Sequence, residues 1–263
     1  MKNQKYVNIV TSNTKGGAGK STTAMQIIST YFLAKGQGIE LLELDNQNQD
    51  AKTFSKSKIK TTQINVDANA KDLNQTVRDL FLSDNQNNRG MDIGGNATTS
   101  NFLQSLKSTH MHNMVDLIVI PMSGGSQDLK NAKETLKIIL DMNKNLKVLF
   151  ALCRVRNPKR VQFQYGDFFQ DEELKKYPYI ILPESDCIDL SRKLSKTVYE
   201  LAQDEQEKEN INQKLLEAFD KNDKNSIYSY SLILEILEDS ENYKTEVIDV
   251  AHKVLDEVLN GKQ

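Results

Sequence analysis

A glycine-rich loop near the start of the chain carries the residues best suited to chemistry. In "TSNTKGGAGKSTT", residues 11–23, a lysine and a hydroxyl follow two glycines: Gly17, Gly19, Lys20 and Ser21. Glycines let successive backbone N–H groups turn toward one anion, a lysine reaches terminal phosphates, and a Ser hydroxyl can hold Mg²⁺. The loop is therefore predicted to bind the phosphates of a nucleotide together with magnesium.

The loop departs from the general phosphate-binding pattern in two ways. The pattern G-x-x-x-x-G-K-[ST] has a glycine where this chain has Thr14. A second lysine, Lys15, also precedes the glycines, and it lies too far back in the loop to repeat the work of Lys20. Lys15 is therefore expected to contact either solvent or a nucleotide that another molecule binds.

A strand and a helix must position this loop, and the flanking residues predict both. "YVNIV", residues 6–10, is apolar and β-branched, as expected of a buried strand. "STTAMQIISTYFLAKG", residues 21–36, predicts a helix whose N-terminus faces the phosphates.

The rest of the chain predicts a doubly wound α/β fold with a mostly parallel sheet and helices on both faces. Candidate strands alternate with helical stretches, near residues 6–11, 39–44, 90–93, 115–120, 147–152 and 178–182. Ligands of such sheets bind beyond the carboxyl ends of the strands, where the loop, Asp45, Asp92 and Pro121 all fall. Because "SDNQNNRGMDIG", residues 83–94, is short and polar for a central strand, residues 60–90 are expected to form an irregular excursion.

Composition indicates an ordinary soluble protein. Charged residues make up 27% of the 263, the mean hydropathy is −0.56, and no apolar run approaches the roughly 20 residues that a membrane span needs. The opening "MKNQKYVNIV" lacks the apolar core of a signal peptide, so a cytoplasmic location is expected. Cys153 and Cys187 are then expected to be reduced thiols.

Charge is unevenly distributed between the two ends of the chain. From Glu200 onward there are 16 acidic and 7 basic residues, a net charge of −9, so the total of −2 leaves +7 on residues 1–199. We predict a nucleotide-binding domain over residues 1–200 and acidic amphipathic helices over residues 201–263 that pack on the same domain.

The last helix shows why packing is the preferred interpretation of this C-terminal segment. One of its faces is apolar, formed by Val247, Val250, Ala251, Val254, Leu255 and Val258. A helix that lies on a membrane surface has Lys and Arg beside its apolar face, whereas this one carries Glu246, Asp249, Asp256 and Glu257. A membrane anchor is not expected.

The loop residues "KGGAGKST" resemble the deviant Walker A box of the ParA/MinD family of ATPases. In that family the residue before the first lysine is often not glycine, which accounts for Thr14. The resemblance implies that Lys15 crosses a dimer interface to the ATP of a partner. It also implies ATP contacts by the whole loop: Lys15, Gly16, Gly17, Ala18, Gly19, Lys20, Ser21 and Thr22.

Other segments are similar to further motifs of the family. "GIELLELDNQNQDA", residues 38–51, is similar to the switch segment D-x-D-P-Q; Glu43 replaces its first aspartate and Asn46 its proline, but Asp45 is kept at the position that handles the attacking water. "MDIGGN" resembles the end of the Walker B strand, which implies Asp92 near magnesium. "ILPESDCIDLSRKLSKTV", residues 181–198, is similar to the region near the adenine, and implies a contact by Pro183.

By this resemblance, two sets of residues carry the chemistry. The expected catalytic residues are Lys15, Lys20 and Asp45. The residues expected around magnesium are Ser21, Asp45 and Asp92.

A basic cluster follows the strand near residues 147–152. "CRVRNPKR", residues 153–160, places four cations on a turn: Arg154, Arg156, Lys159 and Arg160. A solvated loop is one interpretation. The other is DNA binding, because the loop resembles the one where DNA-binding members of the family carry basic residues, and phosphate contacts need charge more than base complementarity.

The resemblance implies a Mg²⁺-dependent ATPase that forms an ATP-bridged homodimer and binds DNA non-specifically. Its role would be plasmid or chromosome partition, in the cytoplasm and associated with the nucleoid, stimulated by a centromere-binding ParB-like adaptor protein. Two alternatives stay open. One is a MinD-like positioning ATPase on a membrane or protein scaffold; the other is a low-turnover, nucleotide-dependent regulator of conjugation or plasmid maintenance, which the changes at Glu43 and Asn46 keep in view.

Overall fold

A single parallel sheet forms the centre of the molecule. The computed structural model describes residues 6–44, 53–66, 70–84, 86–95 and 97–261. Within these ranges the strands are β1 (Asn8–Thr11), β2 (Ile39–Leu44), β3 (Lys60–Gln63), β4 (Asn88–Ile93), β5 (Leu117–Met122), β6 (Val148–Val155) and β7 (Tyr179–Pro183). Their order is β3-β2-β4-β1-β5-β6-β7, and each neighbouring pair is parallel.

Helices connect these strands. α1 consists of three consecutive segments, of which the middle one has π-type hydrogen bonding: Lys20–Thr23, Ala24–Ser29 and Thr30–Ala34. The next are α2 (Ala70–Leu82), α3 (Ala97–Ser108), α4 (Ser126–Met142), α5 (Val161–Gln164), α6 (Gly166–Gln170) and α7 (Asp186–Leu194). The C-terminal helices are α8 (Val198–Leu201), α9 (Glu205–Asp220), α10 (Lys224–Tyr243) and α11 (Asp249–Asn260), with a π-type segment, Lys244–Ile248, before α11. Short 3₁₀ turns occur at Met111–Met114, Pro158–Arg160 and Leu174–Lys176.

The sheet is covered on both faces. Adjacent residues of β1, Ile9 and Val10, belong to different hydrophobic clusters, because successive side chains of a strand point to opposite faces. The cluster around Val10 contains residues of α2, α3 and α4, and the cluster around Ile9 contains residues of α1, α7 and α11. The predicted doubly wound α/β fold with a C-terminal helical extension is confirmed; the domain boundary at residue 200 stays a prediction.

The expectation of an irregular excursion over residues 60–90 is wrong. The described part of this segment forms the edge strand β3, the helix α2 and the start of β4. β4 lies between β1 and β2, and all six of its residues are buried in spite of their polarity. A central strand can therefore be polar here.

Hydrogen bonds satisfy most of the polar side-chain groups that Asn88 and Arg89 bury in β4. Asn88 accepts from the backbone N–H of Val7 through Oδ1 (3.0 Å) and donates to the Gly38 carbonyl through Nδ2 (2.9 Å). Arg89 donates through Nη2 to Ser83 Oγ at 2.8 Å. Buried polar groups are tolerated when they have such partners, whereas a missing partner costs about 1–3 kcal/mol.

The last helix packs against α1, the helix that follows the glycine-rich loop. His252 Nε2 lies 3.1 Å from Thr30 Oγ1 and 3.2 Å from the Ile27 carbonyl oxygen. Asp256 accepts a hydrogen bond from Tyr31 Oη at 2.7 Å. The last helix thus packs on the C-terminal half of the helix that follows the loop. No helix in the described part of the chain combines the length and apolarity that crossing a membrane requires.

Candidate nucleotide-binding site

The glycine-rich loop runs from the end of β1 to the start of α1. Gly17 and Gly19 have φ values of 72° and 96°, a left-handed conformation that favours glycine. A Cβ at Gly19 would lie only 2.6 Å from Cys153 Sγ, so the position also has no room for a side chain. The loop therefore leads into the N-terminus of α1. Backbone N–H groups at a helix N-terminus commonly bind anions.

Lys20 lies inside this loop. Its side chain is buried, and Nζ donates to the backbone carbonyl of Lys15 at 3.0 Å. The loop thus folds around its own ammonium group, which is held where phosphate groups would meet the first turn of α1.

The end of β4 meets the same loop. The sheet register pairs Asp92 with Thr11 at the end of β1 and with Glu43 of β2. Farther along, a Cβ at Gly95 would lie 3.0 Å from Gly16 Cα and 3.5 Å from Lys20 Nζ. The structure thus brings the segment after β4 into direct contact with the loop. Sequence reasoning missed Gly95, for which the only signal was the glycine pair after the strand.

We expect Gly95→Ala to weaken nucleotide binding by about tenfold or more. Its Cβ would press on the Gly16 backbone, which is also only 3.1 Å away at the nitrogen, and would displace the loop that holds Lys20. Titration with a fluorescent ATP analogue checks this, with Gly166→Ala as the control because a Cβ there has nothing within 4 Å. Equal affinities of the two variants would contradict the proposed role of the contact.

Lys15 makes a contact that sequence analysis did not foresee. Its Nζ forms an ion pair with Asp128 in the first turn of α4; the Asp128 side chain is 3% exposed and that of Lys15 is 38% exposed. The Lys15 backbone N–H also donates to Asn13 Oδ1 (2.9 Å), and Asn13 Nδ2 donates to the Pro121 carbonyl (2.6 Å). Within one chain, the Lys15 ammonium is therefore paired with Asp128 while its side chain stays partly exposed to solvent. No motif pointed to Asp128.

A cavity of about 360 Å³ adjoins the loop on the side of β6 and β7. Its lining includes Gly19, Thr22, Arg154, Pro183 and Arg192. Pockets of this size are typical of small-molecule sites. The cavity thus places Pro183 and Arg154 in one lining with the loop residues Gly19 and Thr22. That Pro183 contacts a nucleotide stays a prediction.

Cys153 forms part of the wall of this cavity. Burial raises the pKa of its thiol to about 11, and Thr23 Oγ1 lies 3.5 Å from its sulfur. The group is therefore a neutral thiol near pH 7 that fills space beside Gly19, and a reactive thiolate is not expected here.

The basic loop is well ordered by hydrogen bonds. Arg154 lies at a bulge of β6 with a φ of 55°, and Gln164 holds both sides of it by accepting from the Arg156 N–H (3.0 Å) and donating to the Arg154 carbonyl (2.9 Å). Tyr165 Oη donates to the carbonyl oxygens of Met122, at 3.0 Å, and of Cys153. The loop is thus fixed to the ends of β5 and β6, next to the cavity.

Two further predictions concern the switch segment. Asp45 and Asn46 lie outside the described residues, so the assignment of Asp45 to the attacking water and to magnesium stays a prediction. Glu43 is described; it is buried on β2 opposite Asp92.

Comparison with known proteins agrees with this geometry. The family model described as ATPase MipZ matches residues 7–150, which is more than half of the chain. None of the curated proteins compared with the sequence matches it.

Solved structures share the fold at low sequence identity. A complex of a Cyanothece McdA variant with ATP has a TM-score of 0.54 and 13% identity, covering 75% of this chain and 91% of its own. The MinD cell division protein of Aquifex aeolicus has a TM-score of 0.52 and 17% identity, covering 73% and 89%. A nucleotide-binding protein of Archaeoglobus fulgidus in complex with ADP has a TM-score of 0.51 and 12% identity, covering 72% and 86%. With the matched family model, the loop and its setting in the sheet identify this chain as a member of the MipZ family of ParA/MinD-type ATPases.

Proposed function

We propose that this protein is a Mg²⁺-dependent ATPase that dimerises around ATP and binds DNA non-specifically in plasmid or chromosome partition. The observation that supports the proposal is the loop itself, in which two glycines with positive φ, Gly17 and Gly19, precede a buried Lys20 at the start of α1. In this role the protein would associate with the nucleoid and respond to a centromere-binding ParB-like adaptor protein.

The residues beside the loop fit a magnesium ion. Ser21 is in the first turn of α1, and Asp92 is at the end of the neighbouring strand β4. A hydroxyl and a carboxylate are the hard oxygen ligands that Mg²⁺ takes from proteins when phosphates and water complete its shell. We assign both residues to the ion, which when bound would neutralise charge on the phosphates. Lys20 would bind the terminal phosphates, and Asp45 would orient the water.

The cavity beside the loop is the proposed site of the nucleoside. Pro183 and Thr22 both line it, and Arg192 Nη2 donates to Thr22 Oγ1 at 3.3 Å. Since Arg154 lines the same cavity, we assign it to the nucleotide and keep Arg156, Lys159 and Arg160 as the DNA-binding cations.

The hydrogen bonds that hold the basic loop connect the proposed nucleotide site to the proposed DNA-binding cations. Tyr165 is hydrogen-bonded to the backbone of Cys153, which lines the cavity, and Gln164 holds the backbone at Arg156. In an ATP-bridged dimer two such loops would bind one DNA molecule, and separation of the dimer after hydrolysis would lower the affinity because only one loop remains on each chain.

We expect Arg156→Glu with Arg160→Glu to weaken DNA binding several-fold at low salt. Two fewer cations per chain contact phosphates, so the dependence of log K on log salt becomes less steep. Fluorescence anisotropy of labelled random-sequence DNA at several salt concentrations measures both effects, while light scattering should show intact ATP-driven dimerisation.

Lys214→Glu with Lys221→Glu is the matched control. It makes the same change in charge on exposed residues of the acidic C-terminal hairpin that α9 and α10 form. If both double variants lose DNA binding equally, net charge and not the basic loop governs the interaction.

ATP hydrolysis measured with and without non-specific DNA tests the proposed function as a whole. The proposal requires Mg²⁺-dependent hydrolysis and DNA binding that depends on ATP. ATP binding with negligible turnover under all conditions would favour the nucleotide-dependent regulator, which the buried Glu43 in place of the family's aspartate supports. Binding to liposomes and not to DNA would favour a MinD-like positioning ATPase.

A further inference from the structure

An exposed phenylalanine lies beside the cations of the basic loop. Phe163 is 94% exposed, the highest value among the large apolar side chains of the described residues. The residues two positions before and after it, Val161 and Tyr165, are both buried. Val161 and Tyr165 therefore pack in the core, whereas the ring of Phe163 lies in solvent.

Phe163 lies close along the chain to the last cation of the basic loop, Arg160. Arg160 is the residue before α5, and Phe163 is the third residue of that helix. Arg160 is the N-cap residue, with a non-helical backbone (φ −124°, ψ 25°), so it adjoins the single turn that carries Phe163. Lys159 and Arg160, both exposed, end the 3₁₀ turn that leads into α5. Ring and positive charges therefore form one surface.

The surface is also rigid. Asn157 Oδ1 accepts from the Lys159 N–H at 3.0 Å, and Gln164 and Tyr165, the two residues after the phenylalanine, hold the loop to β5 and β6. A backbone held in this way loses little further conformational entropy when the surface binds a partner.

The neighbouring charges decide between possible partners. A second copy of the loop would bring its own cations against these, which is repulsive. A membrane-binding helix needs a broad apolar face, whereas α5 has four residues and Phe163 is its exposed apolar side chain. Double-stranded DNA suits both features, because phosphates attract the cations and an apolar wedge can enter between base pairs.

We propose that Phe163 inserts between base pairs of DNA whose phosphates are held by Arg156, Lys159 and Arg160. This inference rests on the DNA binding proposed above. The ring adds an attraction that involves no charge, so it strengthens binding without changing the number of phosphate contacts.

The affinity experiment separates the ring from the cations. Phe163→Ala should bind random-sequence double-stranded DNA about tenfold more weakly, from the 1–3 kcal/mol typical of base contacts by aromatic side chains. The slope of log K against log salt should stay as in the wild type, in contrast to the Arg156/Arg160 variant. Because the ring is exposed, the variant should retain the wild-type unfolding temperature.

A fluorescence experiment then locates the ring. The chain contains no tryptophan, so Phe163→Trp introduces a single tryptophan, which can be excited selectively over the tyrosines, at the proposed wedge. Tyr228→Trp is the matched control, since Tyr228 is 72% exposed on α10, in the acidic C-terminal hairpin. In the presence of a slowly hydrolysed ATP analogue, DNA should quench the emission of the first variant and leave the second unchanged.

Several results would overturn the inference. If wild type and Phe163→Ala bind DNA equally, the wedge is wrong although the proposed function stands. If the wild type binds no DNA, both the proposed function and the insertion of Phe163 are wrong. An emission change of Phe163→Trp with the ATP analogue alone would instead assign the ring to contact with a second copy, and a blue shift with anionic vesicles but not with DNA would assign it to a membrane.

Discussion

Lys15→Gln should bind ATP with near-normal affinity as a monomer, yet lose ATP-dependent dimerisation, DNA binding and hydrolysis together. If Lys15 crosses a dimer interface, it meets phosphates that Lys20 and magnesium neutralise only in part. Its replacement leaves a dimer short of two positive charges where two nucleotides face each other, and the repulsion should then outweigh the remaining contacts. A lysine that only faced solvent would matter little, usually under about 0.5 kcal/mol.

The structure shows that Lys15 also has a contact within its own chain, so the experiment must separate this contact from a role across the interface. Its ion pair with the buried Asp128 could itself be what the fold requires. Asp128→Asn removes the carboxylate and keeps the lysine, so it serves as the matched control. Light scattering with a slowly hydrolysed ATP analogue should show dimers of Asp128→Asn and monomers of Lys15→Gln.

Two outcomes would contradict the role across the interface. If Lys15→Gln dimerises as the wild type does, the lysine is not needed at the interface. If both variants fail to dimerise in the same way, the ion pair within one chain accounts for the loss.

Lys20→Ala should lose nucleotide binding, with ATP affinity lowered by at least about 100-fold. In the proposed site the ammonium would make charge-assisted hydrogen bonds to the phosphates, each worth roughly 1.5–3 kcal/mol, and its removal would also leave the centre of the loop without its cation. The fold should persist, since the two hydrophobic clusters that cover the sheet do not depend on this side chain. Isothermal titration with ATP and Mg²⁺, together with a thermal unfolding curve, measures both.

Lys35→Ala is the matched control for this loss. Lys35 directly follows α1 at the end opposite to Lys20, and its Nζ pairs with Asp256 at 2.5 Å. Its replacement removes one lysine at the far end of the helix without touching the loop, so ATP affinity should be unchanged. Wild-type ATP affinity in Lys20→Ala would contradict the assignment of the loop as a phosphate site.

The glycine-rich loop shows what can be predicted from sequence, because its parts are contiguous. Gly17, Gly19, Lys20 and Ser21 lie within five residues, and a strand and a helix with clear apolar patterns flank them. Backbone conformation over so short a segment depends mostly on local residue types. The parallel sheet followed for the same reason, since alternation of strands and helices is a local pattern repeated along the chain.

The polar strand β4 shows where local patterns fail. Its sequence argues against a buried strand, and the structure buries it because Asn88 and Arg89 find partners elsewhere in the chain. Val7, for example, lies 81 positions away from Asn88. The periodicity of the strand sequence cannot indicate such a distant partner. Satisfaction of buried polar groups is a tertiary property.

The sequence by itself determined the fold class, the family and the phosphate loop, because each is expressed in adjacent residues or in a local period. Only the tertiary structure decided what surrounds the loop: Gly95 lies against Gly16, and Asp128 pairs with Lys15 from 113 positions away. It also separates the basic cluster, since Arg154 at the bulge in β6 lines the cavity, whereas Lys159 and Arg160 lie on the exposed turn that precedes Phe163. The physical reason is that parallel strands deliver distant segments to one edge of a sheet, so the contacts there depend on the packing of the whole chain and not on the spacing of residues along it.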